Sequence, residues 1–162
     1  MTTSITVRAA QDEDRAAFLA MWQEFVSLHP DEPGNHTMGD LNWQRIMDPT
    51  SPLRGIIALD AAQARVGFTL YITFPFTWSR GDSCYLQDIY VAASSRGQGV
   101  ARAMIAQLSE IGREAGWFKI FWMTTPDNHV AQRLYEKVAK RMDYLRYDLN
   151  LGDPEIRRGK RL

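Results

Sequence analysis

The sequence predicts an α/β (α+β) fold of three layers, a mixed sheet between helices. Three observations carry that expectation. The 162 residues are 45% hydrophobic and 23% charged, enough apolar material for one core of ordinary domain size. Stretches of strict alternation and of helical recurrence interleave in the order β-α-α-β-β-β-α-β-α-β. A strand, helix, strand unit from Cys84 to Thr124 implies a right-handed crossover and a locally parallel pair.

Taken in order, Ile5 to Ala9 reads as a short first strand. A helix begins at Asp12, with Glu13 and Asp14 in the first turn, where the helix dipole favours acids. Phe18, Leu19, Trp22, Phe25 and Val26 then recur at helical spacing, and Pro30 and Pro33-Gly34 end the run. A second helix spans Thr37 to Met47, closed by Asp48-Pro49 and Ser51-Pro52. Gly55 to Asp60 is a short apolar strand. Arg65 to Phe74 alternates, with Val66, Phe68, Leu70, Ile72 and Phe74 on one face. Gly67, Thr69, Tyr71 and Thr73 take the other face. Ser79-Arg80-Gly81-Asp82 turns the chain into a strand from Cys84 to Val91, its antiparallel neighbour. Val100, Met104, Ile105, Leu108 and Ile111 mark an amphipathic helix ending near Gly116. Trp117 to Thr124 reads as a buried strand, and Ala131, Leu134, Tyr135 and Val138 as a further helix. Tyr144 to Leu151 reads as a last strand.

Composition excludes several classes. Lys plus Arg and Asp plus Glu balance at 19 each, so nothing suggests a nucleic-acid surface or a polybasic membrane anchor. The basic cluster Arg157, Arg158, Lys160 and Arg161 reads as a solvated tail over 152–162, after a single domain over 1–151. Cys84 is the single cysteine, which rules out an internal disulfide and fits a cytoplasmic compartment. No signal pattern opens the chain, and no apolar run approaches the ~18–20 residues of a membrane helix. His29, His36 and His129 have no ligand spacing, so no metal site is expected.

The chemistry-bearing stretch is Leu86-Gln87-Asp88-Ile89-Tyr90-Val91-Ala92-Ala93-Ser94-Ser95-Arg96-Gly97-Gln98-Gly99-Val100-Ala101. A strand runs into a loop with two glycines, and the loop opens a helix. Gly97 and Gly99 let backbone N–H groups approach a bulky anion, and the helix start adds partial positive charge. Taken alone, many such loops carry glycine only for the turn. A dinucleotide fingerprint is excluded because Arg102 occupies the place of its third small residue, and Gly-Lys-Ser/Thr is absent.

Arg96-Gly97-Gln98-Gly99-Val100-Ala101 resembles the R-x-x-G-x-G/A motif of the GCN5-related N-acetyltransferase (GNAT) family. Leu86 to Val91 is similar to that family's preceding strand. Trp122 to Tyr135 resembles its second block, with Asn128 seven residues before Tyr135. The resemblance covers roughly Val66 to Tyr147 and is strongest to the polyamine and diamine acetyltransferases and the yeast histone/polyamine acetyltransferase group. It implies a mostly antiparallel central sheet with the parallel pair around a pyrophosphate loop. It implies acetyl-CoA as co-substrate, bound along the strand Ile89, Tyr90 and Val91, with main-chain groups of Ile89 and Val91 beside the pantetheine. Arg96, Gly97, Gln98, Gly99, Val100, Ala101 and Arg102 would hold the pyrophosphate, and Asn128 the pantetheine. Tyr135 would be the general acid, and a homodimer the default assembly.

The implied reaction moves acetyl from the thioester directly to a primary amine of a small molecule, such as a polyamine, amino acid or aminoalkyl compound. The alternatives are a protein or peptide N-acetyltransferase and a non-catalytic acyl-CoA sensor. Tyr135 suits protonation of the leaving thiolate, since a phenol titrates near 10 and a thiol near ~8.5. Removing the amine proton is the open step. Related polyamine enzymes place a glutamate where this chain has Gln87, which cannot take a proton but can order a water. Asp88 is ionisable, yet unbroken alternation turns it to the opposite face. Tyr85 shares the face of Gln87 and could end a water chain. An oxyanion would be met by an N–H near Ile89 if a bulge leaves it unpaired. On the acceptor side stand Trp22, Glu24, His29, Asp31, Glu32 and His36, with Trp22 equally at home in a core. Phe76 and Trp78 suit a dimer contact or the lip of the acceptor pocket.

Overall fold

The structure, a computed structural model, describes residues 4–30 and 37–152. Its elements in chain order are β1 (Thr6–Ala9), a 3-10 turn (Asp12–Asp14), α1 (Arg15–Ser27), α2 (Met38–Met47), β2 (Leu53–Leu59) and β3 (Arg65–Phe74). Then follow β4 (Ser83–Val91), a 3-10 turn (Ala93–Ser95), α3 (Val100–Glu114), β5 (Lys119–Phe121) and α4 (His129–Val138). The expected sites Asp31, Glu32 and His36, the Pro33-Gly34 stop and the basic tail lie outside the described residues. The chain divides into two compact units, Met1–Asn128 and His129–Leu162.

In the first unit five strands form one sheet in the order β1-β2-β3-β4-β5. The first three pairings are antiparallel, and β4 pairs β5 in parallel across the α3 crossover. The alternation of β3 resolves into two layers. Phe68 and Leu70 pack with Phe18, Met21, Trp22 and Val26 of α1 and with Trp43 and Ile46 of α2. Each of these side chains contributes about 1.5–3 kcal/mol by burial. The opposite face meets α3: Thr69 Oγ1 lies 3.5 Å from Met104 Sδ. A Cβ on Gly67 would stand 2.7 Å from the Tyr90 carbonyl oxygen and 3.1 Å from Met104 Cε. Only glycine lets α3 and β4 come so close to β3 at that point. Val100, Met104, Ile105 and Leu108 are buried on this side. Among the described residues no helix is long and apolar enough to cross a membrane.

One ionic corner ties the start of α1 to two strands. Asp14, with no exposed surface, accepts hydrogen bonds from Arg8 Nη1 at 2.6 Å, Arg65 Nε at 2.9 Å and the Gln11 N–H at 2.9 Å. Burial alone would raise its pKa, but the bonds from Arg8, Arg65 and Gln11 outweigh it and hold Asp14 below the usual carboxylate range.

Two expected elements differ. β5 spans three residues rather than Trp117 to Thr124, and it is half-exposed rather than buried. Its apolar side chains stack sideways along the sheet, with Phe121 5.1 Å from Tyr85 and 6.1 Å from Phe74 between ring centroids. The expected strand Tyr144 to Leu151 is not formed. Residues 139–152 carry no helix or strand, and Tyr144, Leu145, Tyr147 and Leu149 are at least 80% exposed. Alternating aromatic and aliphatic residues give a strand only where a neighbouring ladder receives them.

Candidate active site

The glycine loop is tied back by its own side chains, and its shape suits an anion. Ala93–Ser95 forms one 3-10 turn, Arg96 is extended, and Gly97 and Gly99 take φ of 77° and 84°. A Cβ on either glycine would meet nothing within 4 Å, so backbone conformation rather than crowding calls for glycine there. Arg96 Nε donates to the Val91 carbonyl at 3.1 Å, its guanidinium 5.9 Å from the Tyr90 ring centroid. Gln98 Nε2 donates to the Ser94 carbonyl at 3.0 Å. These bonds fasten the loop to the strand and turn before it. The Ala103 N–H donates to the Gly99 carbonyl at 2.9 Å as the helical ladder begins. The N–H groups of Val100, Ala101 and Arg102 therefore precede the ladder at the helix mouth. The first turn holds no acidic residue. Open space over both glycines and forward-facing N–H groups fit a diphosphate.

Beside the loop the sheet opens. β4 pairs β5 only through Ser83, Cys84 and Tyr85, opposite Lys119, Ile120 and Phe121. From Leu86 to Val91 no strand lies on that side of β4 among the described residues. The main chain of Ile89 and Val91 thus belongs to a free parallel edge, able to pair with an extended amide-bearing ligand. The Tyr90 ring points away from that edge: it is 4% exposed, and its hydroxyl donates to the Glu24 carboxylate. Burial and that carboxylate push its pKa up to about 12.

The cavity forms at a break in register. Leu70 pairs with Asp88, but Tyr71 pairs with Leu86, so Gln87 is one residue too many in β4. Directly paired residues share a face. Asp88 therefore shares the α1/α2 face with Leu70, as Tyr85 does with Ile72. Gln87, two residues from Tyr85, turns the same way. This corrects the alternation reading, which put Asp88 opposite Gln87; the bulge brings both onto one cavity. That cavity, of about 420 Å³, is lined by Asn42 and Arg45 of α2, Ser51, Pro52 and Leu53 ahead of and into β2, Leu70 and Ile72 of β3, and Gln87 and Asp88. Burial raises the Asp88 carboxyl to about 6, opposed by nearby His29. No hydrogen bond reaches its carboxylate among the described residues.

The remaining expected residues fall in different places. Tyr85 stacks on Phe121 at an interplanar angle of 12°. Trp22 is in the core, 5% exposed and against Phe18, Phe25 and Phe68. His29 lies at the end of α1, its ring 4.8 Å from that of Phe25. Asn128 follows β5, and its N–H donates to the Thr125 carbonyl at 3.2 Å. In the second unit, Tyr135 stands mid-way along α4, half-buried, and burial raises its phenol above the ordinary value. Cys84 has no exposed surface, and burial pushes its thiol up to about 12. Sequence reasoning passed over Arg45, Asn42 and Ser51. Their only signal was a place on and just after the second helix, and nothing local tells which of its polar residues face the sheet.

A glycine loop at a helix start, a parallel strand edge with no strand beside it and a bulged strand lining a cavity thus lie in one unit of the chain. The sequence profile described as "Acetyltransferase (GNAT) family" matches residues 16–139, and the chain belongs to that family of acetyltransferases. It is 31% identical over 151 residues to the D-amino-acid N-acetyltransferase HPA3 of Saccharomyces cerevisiae, covering 90% of this chain and 91% of that protein. It is 33% identical over 76 residues to the thialysine N-epsilon-acetyltransferase of Sus scrofa, covering 47% of this chain and 44% of that protein. Its fold matches the ribosomal-protein-alanine N-acetyltransferase from Brucella melitensis with a TM-score of 0.75 at 19% identity, over 92% of this chain and 100% of that one.

Proposed function

We propose that the protein transfers an acetyl group from acetyl-CoA directly to the primary amine of a small molecule, with Asp88 receiving the amine proton. The observation that supports it most is the bulge at Gln87, through which Asp88 and Gln87 face one cavity. The names of the curated relatives, acetyltransferases of amino acids and thialysine, support the small-molecule acceptor.

Acetyl-CoA supplies the activated acyl group. The N–H groups from Gly97 to Arg102 hold its diphosphate, with Arg96 adding charge. The open edge at Ile89 and Val91, with Asn128, holds the pantetheine. A lysine-like amine titrates near 10.4, so presenting it neutral at pH 7 costs about 4–5 kcal/mol. Asp88, near 6, is mostly ionised at pH 7 and close to the operating pH, as a general base requires. Gln87 orders the acceptor or a water beside it. Tyr135, its phenol raised by burial, stays protonated and donates to the leaving sulfur. The buried Cys84 offers no thiolate near neutral pH, which favours direct transfer over an acyl-enzyme. We place the working enzyme in the cytoplasm as a homodimer, with the 89% exposed Trp78 as a contact to be tested by sedimentation of Trp78→Ala.

The test is thiol release from acetyl-CoA across a panel of small amines, alongside thermal stabilisation by CoA. Ligand at 100-fold over its dissociation constant adds about 2.7 kcal/mol. Release with free amines, and its loss in Tyr135→Phe with CoA binding kept, is the expected result. Stabilisation without release from any amine would make the protein a sensor instead.

A further inference from the structure

The cavity carries two opposite charges that do not neutralise each other. Arg45 and Asp88 both line it, yet no ion pair joins them, so they stand more than 4 Å apart. Arg8, Arg15, Arg65 and Arg113 of the first unit are ion-paired with carboxylates, and Arg54 and Arg96 bond main-chain carbonyls. Arg45 instead makes one long hydrogen bond, from Nη1 to Asn42 Oδ1 at 3.5 Å. A guanidinium has five donors in a fixed fork that matches a carboxylate.

The wall beside Arg45 is held in place. Arg54 Nη1 donates to the Ser51 carbonyl, and to that of Leu53 at 2.9 Å, while Nη2 reaches the Pro49 carbonyl at 2.9 Å. Asp48 Oδ1 accepts from the Thr50 N–H at 2.8 Å and its hydroxyl at 2.7 Å. One arginine thus fixes the turn that forms the wall, and the other keeps its fork for whatever enters.

Resting on the acetyl-transfer reading above, we infer that Arg45 binds the carboxylate of the acceptor, and that the acceptor is a free amino acid whose amine meets Asp88. A guanidinium and a carboxylate lining one cavity offer opposite charges to the two ends of a zwitterion. A polyamine would set a second cation against Arg45, and like charges repel. The cavity volume of about 420 Å³ suits a small acceptor rather than a folded chain.

The experiment measures kcat and KM at saturating acetyl-CoA for leucine, phenylalanine and lysine, for their carboxamides, and for spermidine. Wild type should favour each acid over its amide by about 10–100-fold, the range of a charge-assisted hydrogen-bonded pair. That preference should hold although an amide's amine sheds its proton more readily. Arg45→Gln should bring the ratio to within about threefold through KM, and Arg45→Lys should keep part of it. CoA-induced thermal stabilisation reports that the variants are folded. Preference for amides or spermidine, or an equal fall for acid and amide in Arg45→Gln, overturns the assignment while turnover itself stands. Absence of turnover with every acceptor overturns both this inference and the acetyl-transfer reading.

Discussion

Asp14 has no exposed surface and Asp88 is half-buried at the wall of a cavity, and their surroundings differ in kind. Asp14 receives two arginines and a backbone N–H, is held ionised, and joins β1, β3 and the start of α1. Asp88 has no hydrogen bond among the described residues, only His29 in electrostatic reach, and its carboxyl rises to about 6. The first is saturated and therefore rigid. The second keeps its lone pairs open to a cavity and titrates close to physiological pH. The proposed role of Asp88 as a base rests on the fold withholding from it the partners it grants Asp14.

The largest effect is expected for Asp88→Asn. Turnover should fall about 10²–10⁴-fold, the usual contribution of a general base. Stability at pH 7 should hold or rise by about 1–2 kcal/mol, because an ionised group that burial disfavours has been removed. Thiol release and urea denaturation check the two halves; near-normal turnover would sink the role of Asp88. Asp14→Asn should do the reverse, lowering stability by about 2–3 kcal/mol with turnover kept under native conditions. That value is set below the range for fully buried pairs because Arg8 and Arg65 are about a quarter exposed.

pH separates the two acids further. Asp88 has a folded pKa above its unfolded one, so its contribution to stability is complete below about 3.8. That contribution is lost as pH rises through about 6, and on the proposed base role the same rise should switch activity on. Asp14 has a lowered folded pKa, so its contribution is present above about 3.8 and lost as acid carries pH through the lower folded value. A rate profile that is flat from pH 5 to 7 would contradict the Asp88 half. The smallest effect is expected at Arg15→Ala. Its partner is Asp40, both side chains are more than half exposed, and the change in stability should stay within about 0.5 kcal/mol.

Sequence patterns foretold whatever depends on neighbours in the chain. The alternation of Arg65 to Phe74, the helix from Val100 and the glycine turn that leads into it are all formed, since each follows from local periodicity or turn chemistry. The bulge did not show, because a period of two presumes an unbroken ladder, and that presumption turned Asp88 the wrong way. The Asp14 corner joins residues up to 51 positions apart, and Arg45 lines one cavity with residues of β4 more than 40 positions on; neither leaves a local mark. Tyr144 to Leu151 had the composition of a strand, but no neighbouring ladder takes it up.

The Gln87 bulge also changes the kind of mutation to which this enzyme is vulnerable. It is a matter of parity: one surplus residue makes two consecutive side chains look the same way. No single substitution at Gln87 alters an odd count to an even one, so the arrangement tolerates many spelling changes there. Loss of the codon for Gln87 would close the ladder with Leu70 still opposite Asp88 and Tyr71 opposite Leu86, so every remaining residue would keep its face while the cavity lost its second polar side chain from β4. The pairing of Gln87 and Asp88 on one cavity is therefore written in the length of a strand as much as in its letters.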